Sequence, residues 1–177
     1  MFLRQTGNEC LLCSVIMAAG DVDKYAYWLD LFNHGVSIHQ SYLRERYPEH
    51  TDWNLQQTGS RIGGYLPSDV LRALKLSGKR FVWQALSGVQ KTYPSLCRSK
   101  KILVVIGIAS PPELKGNVQL LRRSEHYRGG SQHAVCIRDG MLYDPGLRRP
   151  ARLTVSNLRK SLRRIRKVYE FKIDNDN

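Results

Sequence analysis

Cys10, Gln5, His133 and Asp144 are the residues whose types and spacing could do covalent chemistry in this chain. Cys10 stands where the polar run from Gln5 to Glu9 gives way to an apolar stretch, which is the position of a helix start. The free N–H groups and positive dipole end there favour thiolate, the nucleophilic form of cysteine. Gln5 lies five residues upstream. Its side-chain NH₂ is near enough to share with a backbone N–H the stabilisation of an oxyanion on a carbonyl attacked by the sulfur. His133 and Asp144 flank Asp139-Gly140, a tight-hairpin signal. Such a hairpin makes the two residues neighbours. The carboxylate would then accept from one imidazole nitrogen, fix its tautomer and leave the other nitrogen facing the thiol. The chemistry is acyl transfer through a thioester, with His133 as base and acid, and it requires no metal or organic cofactor.

The elements that must hold these residues follow from hydrophobic spacing. Cys10 to Ala19 is apolar almost all round, which predicts a buried helix stopped by Gly20. Tyr25, Trp28, Leu29 and Phe32 predict a second helix over Asp21 to Asn33, with Asp21 or Asp23 as N-cap. A short helix around His39 to Tyr47, stopped by Pro48, and a polar loop to Gly64 come next, then a third helix over Ser68 to Leu76. From there β-branched and aromatic runs bounded by Gly and Pro predict strands near Arg80–Ala85, Lys101–Ala109, His133–Arg138, Met141–Tyr143 and Lys167–Ile173. A basic helix over about Ser156 to Arg164 precedes the last strand. Helices first and antiparallel sheet second is an α+β architecture, read as one domain over 1–177, helical to about residue 78.

Other readings compete for the same residues. Cys10-x-x-Cys13 with His133-x-x-Cys136 spells a three-cysteine, one-histidine zinc set. Residues three apart on a strand point to opposite faces, however, so His133 and Cys136 would not reach one ion. Cys10-x-x-Cys13 as a redox pair lacks the βαβ context it needs. Cys13 and Cys97 read as core filling. His126, in a basic loop, is the competitor of His133 for the base, and the loop from Lys115 to Gly130 could gate a cleft. Asp144 alone would be a turn former. Trp28, Trp53 and Trp83 read as core or rim aromatics.

Gln5-Thr-Gly-Asn-Glu-Cys10 leading into an apolar helix, with Ser131-Gln-His133-Ala-Val-Cys-Ile and Gly140-Met-Leu-Tyr-Asp144-Pro-Gly, resembles papain-like cysteine peptidases. The nearest are the bacteriocin-leader peptidases and, more distantly, the Josephin-type deubiquitinases. The resemblance implies a papain-like fold, a helical lobe bearing the cysteine against a sheet bearing histidine and aspartate. It makes Cys10 the nucleophile, Gln5 the oxyanion-hole residue, His133 the general base and acid, and Asp144 the residue that orients His133. It allows a peptide or protein substrate, an isopeptide to a ubiquitin-like protein, or acyl transfer by the same route.

Composition sets the bounds. A chain of 177 residues with 42% hydrophobic residues buries a sizeable core without disulfides or structural metal. Four cysteines, Cys10, Cys13, Cys97 and Cys136, imply reduced thiols and a cytoplasmic setting in its own or a host cell. The apolar runs are too short for the roughly 20 residues of a transmembrane span. The first run lacks the positive flank of a signal peptide, since Glu9 offsets Arg4. Net charge is +13, and Arg148 to Lys167 carries nine Lys or Arg with no acidic residue. Segment 148–167 therefore predicts attraction to a polyanion or an acidic partner. A basic module that binds nucleic acid or acidic protein, its cysteines inert, is the alternative to an enzyme.

Overall fold

The segment from Cys10 to Ala19 is apolar around its circumference and forms a buried helix, α1 (Cys10–Ala19), in the computed structural model of the chain, which describes residues 2–5, 9–48, 65–110 and 132–174. Every side chain from Leu11 to Ala18 is buried. Gly20 ends the helix at φ 77, a left-handed conformation that costs residues with a Cβ.

A 3-10 turn, Val22–Lys24, leads into α2 (Tyr25–Arg46), one helix of 22 residues where the sequence predicted two. Neither Asp21 nor Asp23 caps it with a side chain. Asp21 is instead buried, accepting from Trp28 Nε1 at 3.1 Å and Lys24 Nζ at 3.2 Å, and so fastens the corner between α1 and α2. The predicted break fails because Gly35 serves packing. A Cβ there would lie 3.0 Å from the Cβ of Arg72 on α3 (Pro67–Leu76), so glycine lets the two helices approach. Pro67 opens α3, and Asp69 accepts from the Leu66 N–H at 2.7 Å.

Six strands form one antiparallel sheet: β1 (Phe81–Ala85), β2 (Leu103–Ala109), β3 (Gln132–Arg138), β4 (Met141–Tyr143), β5 (Ala151–Arg152) and β6 (Leu162–Ile173), in the order β1-β6-β2-β3-β4-β5. The fold is α+β. Alternation along the strands divides the core in two. Val104, Ile106, Ala134, Cys136 and Phe171 pack with α1, α2 and α3, including Trp28 and Phe32. Leu103, Val105, Val135, Ile137 and Val168 pack on the opposite side with Leu96 of α4 (Tyr93–Arg98) and Leu158 of α5 (Val155–Ser161).

The predicted basic helix is corrected here, for α5 stops at Ser161 and β6 begins at Leu162. Pairing with β2 overrides the helix-like charge spacing. Ala109 pairs with Leu162, Ile108 with Arg164, Gly107 with Ile165 and Ile106 with Lys167, so Arg163 and Arg166 are the extra residues at two bulges. A Cβ on Gly107 would lie 2.2 Å from the Arg164 carbonyl oxygen, which is why this rung takes glycine. The expected polar loop before Gly64, Trp53, His126 and the Lys115–Gly130 loop lie outside the described residues. Among the described residues, no helix is long and apolar enough to cross a membrane.

Candidate active site

The β3–β4 hairpin turns through Asp139 and Gly140 at φ 52 and 71, the paired left-handed conformation that suits the twist of a two-residue connection. The ladder runs Arg138↔Met141, Ile137↔Leu142, Cys136↔Tyr143 and ends there. Asp144 has already left the strand, and its side chain turns back. Its Oδ1 accepts from the Gly146 N–H at 2.8 Å and lies 2.7 Å from His133 Nε2. A Cβ on Gly146 would sit 3.7 Å from His133 Cε1, so this glycine runs against the imidazole ring. Asp144 is only 4% exposed. Burial alone would raise its pKa, but the bonds from His133, the Ser161 hydroxyl and the Gly146 N–H outweigh it and hold the carboxyl below the ordinary range.

His133 is bonded on two sides. Burial pulls its pKa down, yet the bonds to Asp144 and to the Cys10 side chain win, and the imidazole is raised from 6.5 to about 9. Since Nε2 faces Asp144, Nδ1 is the ring nitrogen left for the thiol. A histidine so placed is mostly imidazolium at neutral pH.

Cys10 is the first residue of α1, partly exposed, while Leu11, Leu12 and Cys13 behind it are buried. The Cys13 N–H makes a helical bond to the Glu9 carbonyl at 2.9 Å. The N–H groups of Cys10, Leu11 and Leu12 precede it and have no acceptor within the helix, so they can serve a ligand. Glu9 does not cap them, because Tyr25 holds its side chain; burial and that bond raise the tyrosine pKa.

Gln5 is tied to the same region by its backbone, whose N–H donates to the Pro145 carbonyl at 3.1 Å. Its Oε1 is buried with no hydrogen-bond partner among the described residues. That oxygen is an acceptor open to a donor, while the oxyanion role expected of Gln5 belongs to the NH₂ of the same amide.

Cys10 and Asp144 therefore meet on His133, while Gln5 is tied by its backbone to the turn that follows Asp144. The remaining cysteines do not join them. Burial pushes both Cys13 and Cys136 up to about 12, with Glu9 and Cys10 adding to the effect at Cys13, and burial also raises Cys97. All four thiols are free.

Three participants escaped sequence reasoning. Ser161 bonds Asp144 from α5, Tyr25 removes Glu9 from the helix start, and Arg138 donates through Nη1 to the carbonyls of Ala18 at 3.2 Å and Met17 at 3.5 Å. Each is a common residue type in an unremarkable setting, and only the tertiary arrangement gives it a role. No protein-family model, curated protein or solved structure matches the chain.

Proposed function

We propose that the chain is a cysteine peptidase or isopeptidase of papain-like architecture, hydrolysing an amide bond through a thioester. The observation that carries the reading is a partly buried imidazole bonded at one nitrogen by Asp144, 2.7 Å away, and on its other side by Cys10 at a helix start. A structural histidine needs neither a carboxylate orienter nor a partly exposed thiol, whereas a nucleophile and its base need both.

In this reading the Cys10 sulfur attacks the amide carbonyl, and the C–N bond breaks as the His133 imidazolium gives its proton to the leaving amine. The carbonyl oxygen, negative in the tetrahedral intermediate, accepts from the Cys10 N–H and the Gln5 side-chain NH₂. His133, now neutral, takes a proton from water, whose oxygen attacks the thioester. Release of the carboxylic acid returns the thiolate and the imidazolium. Asp144 stays ionised, fixes the tautomer and stabilises the imidazolium.

The test is a proteome-derived peptide library incubated with the protein and with Cys10→Ala, with new amino termini read by mass spectrometry. A peptidase gives new termini with the first and none with the second, and an isopeptidase is read in the same pair by release of a lysine-linked ubiquitin-like conjugate, lost in Cys10→Ala. The same termini in both samples would overturn the reading.

A further inference from the structure

Five of the nine basic residues of segment 148–167 are spread in sequence but lie near the end of the sheet that carries His133. On the rung that contains His133, Gly107 stands opposite it on β2 and Ile165 opposite Gly107 on β6. The next rung is Gln132, Ile108 and Arg164, and Arg163 is the bulged residue just beyond. Two strand spacings of about 4.8 Å put the Arg164 backbone roughly 10 Å from that of Gln132, the residue before His133. From the other direction Gly146 lies close enough that an added Cβ would meet the imidazole, and Arg148 and Arg149 follow it in an exposed loop. Lys160 precedes Ser161, whose hydroxyl bonds Asp144.

Five cations therefore lie within a few residues of groups that form the site. Arg148, Arg149, Lys160, Arg163 and Arg164 are all exposed. None is ion-paired to a described residue. Between Asp139 and Glu170 the only acidic residue is Asp144, which is buried and committed to His133. A solvated surface gains nothing from such a one-signed cluster, because unpaired like charges within a Debye length of about 10 Å repel each other.

We infer that these five side chains form a basic rim around the Cys10–His133–Asp144 site, and that the chain segment bound there is acidic, carrying Asp or Glu close to the amide that is attacked. The inference rests on the proposal that Cys10 is the nucleophile. An acidic polypeptide is favoured over nucleic acid because the cations surround a site built for an amide carbonyl.

The experiment compares alkylation of Cys10 by iodoacetate, which is anionic, and by iodoacetamide, which is neutral, at low salt, with modification located by peptide mass spectrometry. Three proteins are used: the wild type, a rim variant with Arg148, Arg149, Lys160, Arg163 and Arg164 changed to Gln, and a charge-matched control with Lys75, Arg80, Arg98, Lys100 and Lys172 changed to Gln. Because His133 is unchanged in all three, differences in the iodoacetate/iodoacetamide ratio report the rim. The ratio should fall about tenfold in the rim variant, hold in the control, and fall in the wild type at about 1 M salt, where the Debye length is about 3 Å. A glutamate-rich peptide should slow iodoacetamide at Cys10 of the wild type and not of the rim variant. If Cys10 reacts with iodoacetamide but the ratio ignores the rim, the basic rim is overturned and the nucleophile stands. If Cys10 reacts with neither reagent, the nucleophile itself fails. Protection by a single-stranded oligonucleotide without protection by the peptide would overturn the acidic polypeptide in favour of nucleic acid.

Discussion

Arg138 Nη1 donates to the Ala18 carbonyl at 3.2 Å, and this contact at one end of β3 sets what happens at the other. The helix α1 and the strand β3 run side by side in the same direction, so fixing the last turn of the helix to the end of the strand brings Cys10, at the helix start, to His133, at the strand start. The guanidinium also meets the negative end of the helix dipole. Gly20 leaves room for it, because a Cβ there would lie 2.7 Å from the same nitrogen. Replacing Arg138 by Met keeps much of the stem and removes the donors. The expected cost is about 1–2 kcal/mol in urea unfolding, together with slower alkylation of Cys10 in the folded protein.

Asp144→Asn tests the orienting carboxylate. Burial then acts on His133 with only Cys10 left to oppose it, so the imidazole should titrate below its wild-type value of about 9, followed by NMR of its Cε1–H. Alkylation of Cys10 near neutral pH should fall by about tenfold or more as the imidazolium is lost. Ser161→Ala removes one of three partners of the same carboxylate and should move the His133 titration in the same direction by less.

Stability should depend on pH with a predictable sign. The folded pKa of His133, about 9, is above the unfolded 6.5, so its contribution is fully present below about pH 6.5 and is lost as pH rises through about 9. Asp144 is displaced the other way, so its contribution is present above its ordinary 3.8 and is lost as pH falls below that. The stability gap between the wild type and His133→Ala should therefore be widest between about pH 4 and 6.5, and it should narrow on raising the pH to 9 and beyond. Urea melts of both proteins at several pH values measure the gap.

Gly107→Ala separates close approach from turn chemistry. The added methyl would meet the Arg164 carbonyl at 2.2 Å beside a bulge, so β2 and β6 must part, at roughly 3 kcal/mol or more. Gly78→Ala meets nothing within 4 Å and has only its φ of 68 to strain, so it should cost about 1 kcal/mol. Thermal or urea unfolding of the pair gives the comparison.

What was legible in the sequence follows from how local each signal is. The α1 boundaries were readable because an all-apolar run and a terminal glycine are properties of adjacent residues. Asp139-Gly140 likewise announced its own turn, and with it the meeting of His133 and Asp144. The expected break between Asn33 and His39 is absent, and what the continuous helix does with Gly35, closing on the Cβ of Arg72, involves another helix. The β6 start was hidden because Leu162, Ile165 and Val168 sit three apart, a helical spacing, while two bulges on the strand supply the irregularity. Helix α4 was missed although Thr92 caps it and Pro94 stands in its first turn, because its six residues are too few to show a period.

Whether Cys10 and His133 work as a pair is decided by the rate of iodoacetamide modification at each cysteine in the native protein and in His133→Ala, followed across pH by peptide mass spectrometry. Near pH 6.5, Cys10 should react about tenfold or more faster than Cys97, and His133→Ala should remove the advantage. Cys13 and Cys136, pushed up to about 12 by burial, should stay unmodified. If Cys10 is no faster than Cys97, or reacts the same with and without His133, the two residues are not a working pair and the account of this site is wrong.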